Sequence, residues 1–149
     1  MSEKWCEEAV QALSEGDLTH FAALTGMDYT FCGTVVHGNR LGRKLGFPTA
    51  NIQPDPSTPF LAAKGVYAVH AETGGQTYKG ISNAGIRPSV DGQNFTVEIH
   101  LFDFSGDLYG EKIRVTFLHR IREEQKFNTL EELQHQIRLD IQQAIGLLS

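Results

Sequence analysis

No stretch of this sequence approaches the roughly 20 apolar residues that carry a helix across a bilayer. Met1 to Val10 is charged where a secretory leader would have an apolar core. No membrane partner is expected, and the cytoplasm is the expected compartment. Cysteine is scarce. Cys6 and Cys32 sit at no metal or redox spacing, which points to idle or buried thiols in a reduced compartment. Positive charge is not in excess: 13 Lys and Arg against 18 Asp and Glu give a formal charge of −5, which argues against a general nucleic-acid binder. A local basic cluster can still take a phosphate. The familiar nucleotide loops are missing. Gly33 and Gly38 have the gap of GxxxxGK(S/T), but Asn39-Arg40 follows, and GxGxxG does not occur. There is no nucleophile elbow, no internal repeat and no low-complexity tract. The six histidines, at 20, 37, 70, 100, 119 and 135, show no ligand spacing and read as surface or core residues.

What is present suits one domain with a sizeable core: 149 residues, 40% hydrophobic and 21% charged. Residues 3–25 read as two short helices. Trp5, Ala9, Val10 and Leu13 fall at helical spacing, Ser14 to Gly16 breaks the run, Asp17 can cap a second segment and Gly26 can end it. Residues 30–119 have strand character, in the runs Thr30–His37, Gly65–Glu72, Thr77–Asn83, Asn94–Phe104 and Lys112–His119. Gly74-Gly75, Asp91-Gly92 and Ser105-Gly106 mark tight turns. A last helix is expected from about Thr129 to Leu147, capped by Asn128 with Glu131. Its apolar stripe is Leu130, Leu133, Ile137, Ile141, Ala144 and Leu148. Five or six short strands followed by one amphipathic helix predict a mainly β fold, a compact antiparallel barrel with the helix against it. A two-sheet sandwich is the competing architecture.

The densest chemistry lies in Gly38 to Asn51. Gly38, Gly42 and Gly46 recur every four residues and let backbone N–H groups approach a ligand closely. Arg40, Arg43 and Lys44 can offset phosphate charge. Thr49 and Asn51 stand two apart, so an extended backbone puts both on one face, and their neutral oxygens suit Mg²⁺ carried by a polyphosphate. On composition alone a basic surface loop with a proline turn is the better reading. The second feature is the strand Phe95 to Leu101. Val97, Ile99 and Leu101 share one face, and Glu98 shares the other with Thr96 and His100. Glu98 could be a general base for a hydroxyl, or a solvated outer-face residue beside a solvated histidine. Phe102 and Phe104 continue its alternate face, as core or as the wall of a flat ring.

These pieces occur together in one family. Gly33-x-Val35-x-x-Gly38-x-x-x-Gly42-Arg43-x-Leu45-Gly46-Phe47-Pro48-Thr49-Ala50-Asn51 resembles the signature of riboflavin kinases, including the kinase module of bacterial bifunctional FAD synthetases. Four more segments follow in the family's order: Gly65-Val66-Tyr67-Ala68, Asn83 to Ser89, Val97 to Gly110, and Ile121-Arg122-x-Glu124-x-Lys126-Phe127. The likeness covers roughly residues 29–148. Residues 7–30 resemble the connector that follows the adenylyltransferase module in the bifunctional enzymes. The H-x-G-H motif of that module does not occur. The departures are Ala84 for a usual Ile, Ser89 for Thr, Ala62 for Pro, and Thr25-Gly26-Met27 for Leu-Gly-Arg.

The resemblance implies a closed six-stranded Greek-key barrel with short N-terminal helices and a C-terminal helix, divided as a connector-like segment 1–28 and a kinase domain 29–149. It implies ATP and riboflavin as substrates, ADP and FMN as products, and Mg²⁺ brought with ATP. Thr49 and Asn51 would hold the metal and terminal phosphates. Gly38, Gly42, Arg43, Lys44, Gly46, Phe47 and Pro48 would cradle the nucleotide. Glu98 would take the proton of the ribityl 5′-hydroxyl. Asn83, Arg122, Glu124 and Phe127 would serve the flavin, with the segment 122–127 as a flap. If the chain is a fragment, an adenylyltransferase module is its expected neighbour. The rivals are a non-catalytic flavin-binding or partner-binding barrel that has kept the fold, and a flavin reductase.

Overall fold

A computed structural model describes residues 5–36, 46–55, 63–89 and 92–149. Two short helices come first, α1 (Glu7–Ser14) and α2 (Leu18–Thr25). The Asp17 side chain accepts from the His20 N–H to start α2, and Gly26 ends it in the left-handed region at φ +77°. Six strands follow: β1 (Tyr29–Val36), β2 (Ala50–Pro54), β3 (Gly65–Thr73), β4 (Gln76–Ser89), β5 (Gly92–Leu101) and β6 (Lys112–Arg122). The helix α3 (Leu130–Leu148) closes the chain.

The strands pair antiparallel in the order β1-β2-β5-β4-β3-β6 and close into a barrel where β6 meets β1. Closure excludes the sandwich. The hairpins β3-β4-β5, with β6 returning beside β3, make a Greek key. Alternation decides which side chains enter. β1 runs buried, half-buried, buried, half-buried along its length, sending Tyr29, Phe31 and Val35 inward. Ile52, Tyr67, Val69, Val97, Ile99, Val115 and Phe117 join them in the core.

Two packing layers flank the barrel. At one end, Ala9, Leu13, Leu18 and Phe21 from α1 and α2 extend the same core. Trp5 meets Phe21 edge-on at 4.9 Å, Phe21 meets Tyr29 at 5.8 Å, and Tyr29 meets Phe117 at 5.6 Å. On the outer wall, Ala144, Ile137, Ile141 and Leu148 of α3 cover Val66, Ala68 and Ile81.

Five elements differ from the sequence expectation, β6 by running on from His119 to Arg122. β2 lies inside the Gly38–Asn51 motif and just beyond it, where no strand run was drawn. β4 continues past Asn83 to Ser89, through Gly85 and Pro88, because pairing with β5 sustains it to Ser89↔Gly92. β5 stops at Leu101 rather than Phe104, since Asp103 turns the chain at φ +57°. Phe102 therefore joins the outer cluster while Phe104 packs on the inner core against Tyr78 at 5.2 Å, so the two do not share a face. The cap of α3 is Thr129, whose hydroxyl accepts from the Glu132 N–H at 3.1 Å, one residue later than Asn128. Leu130 does not dock with the rest of the stripe and is 54% exposed.

Candidate active site

Register builds the site. Asn51 of β2 pairs with Glu98 of β5, and Glu98 pairs on its other side with Asn83 of β4. Their neighbours Ile52, Val97, Ile99 and Ala84 are buried, so the three polar side chains share the outer face. The rung continues through Val66 of β3 to Arg122 of β6. Asn51 to Arg122 is four inter-strand steps, roughly 19 Å along the curved wall.

The chain reaches this rung through Gly46, whose φ of +91° lies where side chains are strained. Phe47, Pro48 and Thr49 then run alongside β5 before β2 begins. The Thr49 hydroxyl donates to Glu98 Oε1 at 2.9 Å. The Pro48 carbonyl oxygen lies 2.8 Å from His100 Nδ1, and the Phe47 ring meets the His100 ring edge-on at 5.9 Å. Glu98, Thr49 and Asn51 are half-buried, and Asn83 is exposed. Thr49 uses its one donor in the hydrogen bond to Glu98, so its oxygen keeps acceptor capacity, and Glu98 keeps its second oxygen.

Arg122 is engaged elsewhere. Its Nε donates to Asp140 Oδ1 at 3.0 Å and its Nη2 to Asp140 Oδ2 at 2.9 Å, while Nη1 donates to the Glu123 carbonyl at 3.1 Å. Gln136 adds a donor to Asp140 at 2.9 Å. The guanidinium also lies 5.7 Å from the centre of the Phe127 ring. Asp140 is 1% exposed.

The sequence candidates thus divide. Thr49, Asn51, Glu98 and Asn83 are brought together, with Phe47 and Pro48 against them. Arg122 and Phe127 stand together at the far end of the rung, and Glu124 is exposed between them in the chain. Gly38, Gly42, Arg43 and Lys44 lie outside the described residues. Two residues were missed. His100 was read as a filler, and its backbone partner leaves no trace in a sequence. Asp140 did carry a signal: an acidic residue three positions after Ile137, on the apolar stripe itself. A separate open groove of about 530 Å³, lined by residues including Asp55, Thr73, Lys112 and Arg114, shares none of the site's side chains.

A family model described as riboflavin kinase matches residues 25–148. The bifunctional riboflavin kinase/FMN adenylyltransferase of Haemophilus influenzae is 42% identical over 135 residues, covering 90% of this chain and 43% of that protein. The RNA-binding riboflavin kinase RibR of Bacillus subtilis is 51% identical over 111 residues, covering 73% and 46%. The chain therefore spans less than half the length of these curated relatives. Among solved structures, a Streptococcus pneumoniae protein described as a macrolide-efflux protein superposes with a TM-score of 0.84 at 35% identity, covering 91% of this chain and 44% of that one. The riboflavin kinase of Trypanosoma brucei superposes at 0.55 with 26% identity, covering 83% and 79%. The family match over residues 25–148, which spans the whole barrel, makes this chain a member of the riboflavin kinase family.

Proposed function

We propose that this chain transfers the γ-phosphate of ATP to the ribityl 5′-hydroxyl of riboflavin, giving FMN and ADP. The observation that carries the reading is the Thr49 hydroxyl bound to Glu98 at 2.9 Å, on the rung shared with Asn51 and Asn83. A primary hydroxyl is a poor nucleophile and must lose its proton as it attacks phosphorus. The second oxygen of Glu98 takes that proton. The new O–P bond forms as the bond from phosphorus to the oxygen retained by ADP breaks. Little else is asked of the protein than alignment and charge neutralisation.

Thr49 and Asn51 are hard neutral oxygen donors, the kind Mg²⁺ accepts when phosphates and water fill most of its shell. Among the described residues no group of three His, Cys, Asp or Glu offers a rival metal site. Bound with ATP, the ion would neutralise charge on the phosphoryl oxygens. Gly38, Gly42, Arg43 and Lys44 serve the nucleotide phosphates together with Gly46, Phe47 and Pro48. The flavin runs along the rung from Glu98, past the Asn83 amide, towards Phe127 and Glu124. Arg122 acts there through Phe127 and the segment it anchors.

If the chain is a fragment, an adenylyltransferase module is its expected neighbour, as in the bifunctional relatives. The charge of −5 supports small-molecule partners rather than nucleic acid, although one relative's name includes RNA binding. Dependence on ATP supports work in the cytoplasm. Among the described residues no helix is long and apolar enough to cross a membrane. The test is purified protein with riboflavin, ATP and Mg²⁺, read by chromatography. FMN is expected without FAD, since H-x-G-H is absent. No FMN with any of several divalent cations would overturn the reading.

A further inference from the structure

We infer that His100 is a positioning residue that holds the Thr49 hydroxyl on Glu98. The inference rests on the phosphotransfer reading and deepens it. Glu98 and His100 stand two apart on β5 and leave the barrel on the same face. They grip consecutive residues of the incoming chain: Thr49 donates to Glu98 at 2.9 Å, and Pro48 presents its carbonyl to His100 Nδ1 at 2.8 Å. A carbonyl only accepts, so Nδ1 carries the hydrogen of this bond.

Backbone pairing does not do this work. Pro48 has no N–H, and the β2–β5 ladder begins only at Ala50↔Ile99. Upstream, Gly46 gives the chain freedom rather than restraint. The His100 ring is itself held by edge-on contacts with Phe47 and Phe102, each at 5.9 Å. His100 is therefore a rigid post for the Pro48 peptide. That peptide sets the backbone from which the Thr49 hydroxyl must point at Glu98, and a β-branched side chain has little rotamer freedom to correct an error.

Loss of the post removes one neutral hydrogen bond, so His100→Ala is expected to lower kcat about tenfold with riboflavin affinity unchanged. His100→Asn, whose amide N–H can occupy the place of Nδ1–H, should restore most of the loss. In a Thr49→Val background His100→Ala should add less than about twofold, because the group it positions is gone. A second measurement needs no turnover: the NMR shift of the Thr49 methyl in ligand-free protein should move in His100→Ala and return in His100→Asn. An unmoved methyl, an undiminished effect in the Thr49→Val background, or a folded His100→Asn protein as impaired as His100→Ala would each overturn the assignment. A wild-type protein that makes no FMN would sink the phosphotransfer reading, and the methyl shift would still decide the role of His100.

Discussion

Glu98 owes its position to parity. Val97 and Ile99 are each 1% exposed in the barrel core, so the residue between them must leave on the outer wall, where β2 and β4 bring Asn51 and Asn83 beside it. Glu98→Gln keeps the oxygen that accepts from Thr49 and removes the base. We expect folded protein, near-normal ligand binding and a kcat lower by at least about 10². Steady-state kinetics with separate binding titrations checks this, and an unchanged kcat would remove Glu98 from the chemistry. Asn51 sits one register step away, and in the proposed reaction it meets charge on the transferring group. Asn51→Ala should lower kcat by about 10²–10³ while riboflavin alone still binds. These residues were legible in the sequence because strand alternation and a short motif are local. His100 was not, because its partner is a carbonyl 52 positions away, joined only by the fold.

Among the elements, α3 depends on one charged contact as well as on its apolar stripe. Asp140 faces the barrel and accepts from Nε and Nη2 along one edge of the Arg122 guanidinium, with the Asp140 side chain 2% and the Arg122 side chain 17% exposed. Removing one partner of such a pair strands the other, and Asp140→Ala should cost about 3 kcal/mol, a fall in Tm of about 10 °C. Thermal melts of Asp140→Ala, Arg122→Ala and the double variant check it. The single losses should not add, and fully additive losses would mean that the two residues act apart. The sequence signalled α3 through its period of three and four and placed its start within a residue. Asn128 is not the cap because its neighbour Thr129 also carries a side-chain oxygen, and only geometry shows which oxygen reaches the N–H. β4 was cut short for a related reason. Gly85 and Pro88 are breakers in a local reading, but a long partner strand supplies hydrogen bonds that outweigh the local preference.

At the scale of the whole molecule, a knot of polar contacts around Tyr67 adds to the shared apolar core in joining the two N-terminal helices to the barrel. Its hydroxyl donates to the Ala63 carbonyl at 2.5 Å, and the Ala63 N–H donates to the Leu13 carbonyl of α1 at 2.9 Å. Arg120 of β6 donates to the Lys64 carbonyl at 2.6 Å and passes so close to Gly16 that a Cβ there would lie 2.7 Å from its guanidinium carbon. Gly16 also has φ +76°, so the turn between α1 and α2 admits only glycine without strain. Burial pushes the Tyr67 phenol above its ordinary value of 10.0, and the nearby Arg120 offsets only part of that. The sign follows from proton binding. Just above pH 10 the unfolded chain releases this proton and the folded protein keeps it, so the unfolded state binds fewer protons and stability falls as pH rises. Tyr67 thus contributes in full below about pH 10 and loses its contribution as pH climbs from there through its raised folded value. Tyr67→Phe has no such proton. It should melt below the wild type at neutral pH, for want of the Ala63 bond, and the gap in Tm should narrow steadily above pH 10. Trp5, the single tryptophan, lies against Phe21 and Tyr29, so its fluorescence reads whether the helices leave with the barrel. One coincident transition in fluorescence and far-ultraviolet circular dichroism is expected at every pH, and a gap that stays constant through the alkaline range would show that the Tyr67 proton is not linked to folding.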